Sequence, residues 1–256
     1  MTNWDSALYL KFERERSRAA RDLLFHIPAF EPRTVYDLGC GPGNSTELLA
    51  ATFPNAEIVG VDYSDEMLAA ARARVSGGAF VKQKIEDWRP SAGAGLIFAN
   101  AALHFVADHD RLIPRLASYL AKDGWLAVQM PHNIHEVSHA LMRMVAADGP
   151  WADRLVPVAK TRPVIGSIED YYRLLAPNTA GFEIWQTTYV HPLDGPKGIV
   201  EWFEGSGLRP FLEPLSPWER EAFLARYQKE LAAAYSARPD GKVLLRYPHL
   251  FFVAQR

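Results

Sequence analysis

Three glycines at alternate positions, Gly39, Gly41 and Gly43, follow the apolar run Val35–Leu38, whose one acid is Asp37. Glycine adopts positive φ without steric cost and lets the backbone approach a ligand closely. Three of them after a β-like run and ahead of a helical stretch mark a turn that holds something against the main chain. A second acid, Asp62, closes the apolar run Ile58–Asp62, where a strand-end carboxylate can accept both hydroxyls of a ribose. Glu86, Asp87 and Trp88 follow a third β-like run. A carboxylate accepting from an adenine amine, with Asp87 favoured, and an indole beside the base would suit an adenosine pocket. Each acid also has a plainer role open to it as a helix or loop cap, although Ser64 and Asp65 are already placed to cap the helix expected after Asp62.

The dinucleotide fingerprint G-x-G-x-x-G seats a pyrophosphate on the helix N-terminus. Here the third glycine comes one residue early, as D-x-G-x-G-x-G, and Asn44 stands where that fingerprint wants glycine. The spacing therefore argues against an NAD-linked oxidoreductase and leaves a different adenosine ligand as the better reading. Cys40, the single cysteine, sits between two of these glycines with no histidine nearby in sequence. It reads as a small packing residue rather than a nucleophile, and no internal disulfide can form.

The run FANAALHFVAD puts Asn100, Ala101 and His104 after a fourth β-like stretch, at the carboxyl edge where open α/β sheets bind ligands. His104 is the one residue there that could act as a general base, yet a lone histidine more often packs or donates a hydrogen bond. No metal constellation is apparent. His132, His135 and His139 lack a carboxylate or thiol partner at a ligating spacing.

The elements that must position these residues alternate through the first half of the chain. Strands are expected at Thr34–Leu38, Glu57–Asp62, Ala79–Gln83, Leu96–Asn100 and Trp125–Met130, with helices at Asn44–Thr52, Asp65–Val75 and Asp110–Leu120. That alternation predicts right-handed βαβ units and a parallel sheet. Asn44 and Glu47 are spaced like a capping box for the first helix. After Pro131 the regularity lapses into Pro- and aromatic-rich segments, with a helix near Pro217–Ala234 and strand-like runs at Glu183–His191 and Val243–Ala254.

Length and charge narrow the classes. At 256 residues the chain suits one α/β domain with cap insertions. Lys and Arg number 28 against 30 Asp and Glu, a formal net charge of −2, which gives no general attraction for nucleic acid or anionic membrane. Arg14, Arg16, Arg18 and Arg21 are interleaved with Glu13 and Glu15 and read as a solvated helix face. No apolar run approaches the roughly 20 residues of a membrane span, and the start lacks a secretory pattern, so a cytoplasmic location is expected.

The segment D37-L-G-C-G-P-G43 with Asp62 resembles the class I S-adenosylmethionine-dependent methyltransferases. WDSALYLKFERERSR, DLGCGPGNST, LIFANAALHFVADH, LAVQMPHN, IWQTTYVHPL, EWFEGSGLRPFL and LFFVAQR together are similar to the trans-aconitate 2-methyltransferase family over essentially the whole chain. The resemblance implies an α/β, Rossmann-like, seven-stranded, mostly parallel sheet with helices on both faces and an antiparallel last hairpin. It implies a single domain, with the core at about 30–132, 181–192 and 241–256 and a cap from 1–29, 133–180 and 193–240. It implies methyl transfer from S-adenosylmethionine to a carboxylate of trans-aconitate, with S-adenosylhomocysteine as by-product and no metal.

Under that resemblance Asp37, Gly39, Gly41, Gly43, Asp62, Tyr63, Met67, Glu86, Asp87, Trp88 and Asn100 are the cofactor candidates. Tyr9 with Arg18 or Arg16 could close over the cofactor and bind its methionine carboxylate. A tricarboxylate needs cations and donors, for which Arg16, His104, Gln129, His132, Tyr189, Trp202, Arg209 and Arg246 are the candidates. No catalytic base is required, because an ionised carboxylate is already a nucleophile. The alternatives are a methyltransferase for another small acid or natural product, an NAD-linked oxidoreductase, and a nucleotide sensor without turnover.

Overall fold

The computed structural model describes residues 12–161 and 163–256, without the side chains of Glu13, Arg16 and Thr161. Among the described residues seven strands form one sheet: β1 (Thr34–Leu38), β2 (Glu57–Asp62), β3 (Ala79–Lys82), β4 (Ala94–Asn100), β5 (Leu120–Pro131), β6 (Gly181–Leu193) and β7 (Val243–Gln255). Their order is β3-β2-β1-β4-β5-β7-β6. The first five run parallel and β7 runs antiparallel to β5. Ala180 N donates to Gln255 O at 2.8 Å, joining the start of β6 to the end of β7, so the last two strands also oppose each other. The order of strands reverses between β1 and β4, which makes the carboxyl ends of those two strands the switch point where such sheets bind ligands.

The helices between the early strands are α1 (Glu13–Phe25), α2 (Asn44–Thr52), α3 (Asp65–Arg74) and α4 (His109–Ser118). Ser64 caps α3 and accepts from Met67 N at 3.3 Å. The expected capping box on α2 is not formed. Gly43 is the N-cap, at φ 90, and Asn44 is already helical. Glu47 instead faces Arg74, 3.3 Å away. Gly43 holds the N-cap position at positive φ and has no side chain with which to cap the helix. The helix expected to reach Leu120 stops at Ser118, because Leu120 is the first residue of β5 and pairs with Ala94.

The chain divides into two compact units. The first spans 16–131, 163–187 and 249–256 and holds the parallel sheet. On one sheet face Tyr36, Leu38, Val61, Ile97, Leu126, Val128 and Phe252 pack against Leu112, Ile113 and Leu116 of α4 and against Tyr171 and Leu175 of α7 (Ile168–Leu175). Removing such side chains from water contributes about 1.5–3 kcal/mol each, which fixes the strand register that the site depends on. The other face carries a ring stack: His26 lies on Trp185 at 4.1 Å, and Trp185 lies on Phe251 at 5.0 Å. Residues 16–29 and 163–180, expected in a cap, group with the sheet: Tyr171 and Leu175 pack in its core, and His26 stacks on Trp185.

The second unit takes in the described residues among 1–15, 132–162 and 188–248. It is built from α5 (Val137–Ala147), α6 (Ala152–Thr161), α8 (Gly195–Glu204), α9 (Arg209–Leu212) and α10 (Pro217–Ala234). Its core includes Trp151, Trp202, Phe203, Phe223, Tyr227 and Leu231. Ser216 and Glu219 form a capping box at the start of α10. Arg154 clamps Glu219 with two hydrogen bonds, and this, followed by the backbone and hydroxyl of Ser216, pulls the Glu219 carboxyl down to about 2.

Candidate functional site

The three glycines have three different local reasons. A Cβ on Gly39, at φ 70, would lie 2.4 Å from Ala102 Cβ, so Gly39 permits the turn to touch the end of β4. A Cβ on Gly43 would lie 3.0 Å from Ala71 Cα, so Gly43 permits α2 to approach α3. A Cβ on Gly41, at φ 53, would meet nothing within 4 Å. Gly41 therefore presents bare backbone to open space, the feature a ligand-cradling turn needs.

The turn is stapled to β2. Gly39 N and Cys40 N both donate to Val61 O, at 2.8 and 3.0 Å. Asp62 accepts from Gly41 N through Oδ2 at 3.0 Å and from Ser64 N through Oδ1 at 2.9 Å. A carboxylate offers about four acceptor directions, so Asp62 fixes the turn and retains capacity for two hydroxyls. Tyr63 and Met67 come after it, the first 70% exposed and the second half-buried in the first turn of α3.

Asp37 is fully buried, with Ser45 Oγ and Thr46 Oγ1 donating to its Oδ2 at 2.8 and 2.6 Å. Burial pushes its pKa up to about 6; the hydroxyls of Thr46 and Ser45 oppose that rise, and the Asp62 charge adds to it. Its Oδ1 has no hydrogen-bond partner among the described residues, and neither does Oδ1 of Asn100. The Cys40 thiol is also raised, by burial first and then by Asp37 and Asp62, which keeps it protonated and inert.

Register places these acids together. Partners in a parallel sheet share a face, and faces alternate along a strand. Asp37 is level with Gly60 and Phe98, Asn100 with Gln129, and Gln129 with Phe251. Asp62, Asp37, Asn100, Gln129 and His249 therefore lie on one face across β2, β1, β4, β5 and β7. Open acceptor atoms on Asp37 and Asn100, a half-exposed Asp62 carboxylate and the bare Gly41 backbone fit the hydroxyls and ammonium of an aminoacyl nucleoside.

The loop after β3 is pinned to this edge. Gln83 N donates to Asp62 O at 2.9 Å, Gln83 Nε2 donates to Asp87 O at 3.0 Å, and Arg115 holds the carbonyls of Ile85 and Glu86. The Glu86 and Asp87 side chains are left exposed. Trp88 is corrected: its indole is 2% exposed and packs edge-on to Tyr36 at 5.0 Å, inside the core rather than beside a base. Ile85, which carries no polar signal in the sequence, has its Cδ1 3.5 Å from the Gly39 Cβ position and lines the turn instead.

The end of β4 is strained. Ala101 has φ 51, a conformation that costs an alanine about 1–2 kcal/mol. Its N–H is held by both the carbonyl and the side-chain Oε1 of Gln129, at 3.0 and 3.1 Å. Since Oε1 accepts there, the Gln129 amide must donate to His249 Nδ1, with which it makes a buried hydrogen bond. The Gln129 amide thus fixes Ala101 and the ring of His249, and it does not extend toward an acceptor as expected. His249 was missed because its only signal is its register opposite Pro131. His104 is half-buried in the turn Leu103–Phe105, its ring 3.9 Å from that of Phe105.

The remaining acceptor candidates disperse. Tyr189 and Trp202 are buried, and His191 stacks on Trp202 at 4.4 Å; both are core aromatics of the helical unit. Arg209, the first residue of α9, lies 3.9 Å from Glu213 just past its end. Arg246 is exposed on β7, and its side chain makes no hydrogen bond or ion pair with another described residue. His132 is half-buried, and burial and then His135 lower its pKa. Arg18 is exposed on α1, Tyr9 lies outside the described residues, and so does the side chain of Arg16. No group of three or more metal-ligating side chains occurs among the described residues, and no described helix is long and apolar enough to cross a membrane.

A family model for a methyltransferase domain matches residues 35–124. The YcgJ protein of Bacillus subtilis shares the fold, with a TM-score of 0.61 at 14% identity over 93% of this chain and 98% of that one. A geranyl diphosphate methyltransferase solved in complex with S-adenosylmethionine does so with a TM-score of 0.55 at 17% identity, over 97% of this chain and 88% of that one. A trans-aconitate 2-methyltransferase from Methylobacterium nodulans is 51% identical over 256 residues, covering 100% of this chain and 99% of its own length. Agreement of that extent includes both the glycine turn and the helical unit, and with it the chain belongs to the trans-aconitate 2-methyltransferase family.

Proposed function

We propose that this protein transfers the methyl group of S-adenosylmethionine to a carboxylate oxygen of trans-aconitate, giving a monomethyl ester and S-adenosylhomocysteine. The cofactor half of the reading is carried by the turn at Gly39–Gly43, locked to Asp62 with Gly41 open to a ligand. Family membership carries the acceptor half. When bound, S-adenosylmethionine supplies an electrophilic methyl group on a sulfonium whose sulfur leaves as a neutral thioether.

Gly41 and its neighbours would receive the methionine end against bare backbone. Asp62 would accept from the ribose hydroxyls, with Glu86 or Asp87 accepting from the adenine amine. Asp37 and Asn100 keep acceptor atoms for donors of the same ligand. The acceptor carboxylate is ionised at neutral pH, so the chain has no proton to remove and His104 needs no base role. What the residues must supply is placement and the exclusion of water, and effective molarities for such placement reach about 10⁵ M or more. The balanced charge of the chain and the lack of a membrane-crossing helix among the described residues support a small-molecule acceptor met in the cytoplasm.

The test is turnover with trans-aconitate, cis-aconitate, citrate and isocitrate, following S-adenosylhomocysteine. A strong preference for trans-aconitate is expected. Equal or absent turnover across the four acids would remove the substrate assignment.

A further inference from the structure

Ala101 is an anomaly at the carboxyl end of β4. Among the described residues three that are not glycine hold positive φ, and the other two, Asp108 and Asp123, are aspartates. An aspartate can offset that conformation with its short polar side chain, and an alanine has nothing to offset it with. Strain of this kind persists only where the surroundings over-determine it, and it gathers at sites that bind ligands.

The groups around Ala101 that bear on it, from β4, β5, His249 and the glycine turn, all belong to the sheet unit. With the chain on both sides in place, φ at Ala101 can relax only by rotation of the planar Asn100–Ala101 peptide, and that swings the N–H off its acceptors. Two acceptors oppose the rotation. The Gln129 carbonyl, at 3.0 Å, is an ordinary rung of the β4–β5 ladder. Gln129 Oε1, at 3.1 Å, is an addition to that ladder, and it faces Ala101 because the amide's other end donates to His249 Nδ1.

The orientation of this peptide matters on the side of the glycine turn. The Asn100 carbonyl points opposite to the Ala101 N–H, so it is turned away from β5 and toward β1, the strand that leads into the turn. The next residue, Ala102, is buried and stands where a Cβ on Gly39 would come within 2.4 Å of its own Cβ. The end of β4 and the turn are therefore fitted to each other, and the fit depends on the conformation at Ala101.

We propose that Gln129 is a positioning residue for the cofactor: its amide, oriented by His249, holds the strained Asn100–Ala101 peptide in the state to which the glycine turn is fitted. Gln129 acts through Ala101 in place of the acceptor contact expected from the sequence. The inference rests on the reading of the Gly39–Gly43 turn as the S-adenosylmethionine site. Without the amide, the ladder bond alone opposes the strain, the fitted state becomes a fraction of the population, and affinity falls by that fraction.

Calorimetric titration of S-adenosylhomocysteine into the intact protein, well below its melting temperature, tests this. Gln129→Leu is expected to raise the Kd about 3–10-fold. Adding Ala101→Gly should bring the Kd back to within about twofold of the parent, because glycine adopts positive φ without strain. Ala101→Gly should also lower the Kd by more in the Gln129→Leu background than in the parent. Gln129→Met, which keeps the length without either polar atom, carries the same expectations should Gln129→Leu fail to fold. A lowered melting temperature with the Kd unchanged would show that Gln129 only stabilises the fold and would overturn the proposal. A loss of affinity that Ala101→Gly does not relieve would overturn it too, since the effect would then bypass Ala101. A parent protein that does not bind S-adenosylhomocysteine would overturn the cofactor reading and the proposal with it.

Discussion

The glycine turn of the sheet unit and the helices of the other unit are held in place by opposite means. In the sheet unit the work is done by main chain: Gly39, Gly41 and Gly43 sit at positive φ, with Gly39 N and Cys40 N donating to Val61 O and Gly41 N to Asp62. In the helical unit it falls to side chains, with Arg154 clamping Glu219 at the start of α10 and Arg143 donating to Ile134 O at 2.8 Å. A backbone site tolerates few residue types and so leaves a pattern in sequence. A side-chain site can be built from many residues at many spacings, and it leaves almost none.

The contrast predicts where substitutions act. Gly39→Ala should have the largest effect, since strain at positive φ of about 1–2 kcal/mol adds to an overpacking cost of about 1–3 kcal/mol against Ala102. Urea melts of Gly39→Ala beside Gly41→Ala check this, because Gly41 has open space and should show the strain alone. Equal losses at the two positions would remove the distinction between a packing glycine and a ligand-facing one.

Asp37 gives a pH test of the sheet unit. Its folded pKa, about 6, lies above its ordinary value of 3.8, so the native state holds the proton more tightly than the unfolded chain. The resulting stability is fully present below about 3.8 and is lost as pH rises through about 6, in total about 3 kcal/mol. Asp37→Asn should abolish that slope, so the difference between variant and parent should move by about that amount in the variant's favour from pH 4 to 7. A constant difference across that range would show that Asp37 is ionised throughout.

Asp62→Ala removes an acceptor from two backbone donors and from the ribose, each such bond contributing about 1.5–3 kcal/mol. The Kd for S-adenosylhomocysteine should rise at least about tenfold. Gln129→Leu is the smallest change, about 1–3 kcal/mol, because Ala101 N keeps the Gln129 carbonyl and only His249 loses its donor. Nitrogen NMR should find His249 in the parent carrying its proton on Nε2, and mixed tautomers in the variant.

Legibility in the sequence divides along the same line. β1 and β2 match the expected bounds, as does α2, because apolar runs bounded by glycine and acid leave one register for a buried strand. The residues after Pro131 read as irregular but fold into α5, α6, α7, α8 and α9 ahead of the expected α10. Proline misled there: Pro196, Pro210 and Pro217 stand in the first turns of helices, where the missing N–H is harmless. The aromatic residues misled as well. Trp88 and Trp202 looked like ligand platforms and are core, and nothing in spacing separates an indole that meets a ligand from one that meets Tyr36 or His191.

The most direct measurement is transfer from S-adenosylmethionine carrying a ¹³C-methyl group, with the product of trans-aconitate read by NMR and mass spectrometry. The account predicts the label as a single O-methyl ester, formed at a rate that stays level above the acceptor's own carboxylate pKa because no base is used. Label on carbon, or cofactor bound with no labelled ester on any acid, would contradict it.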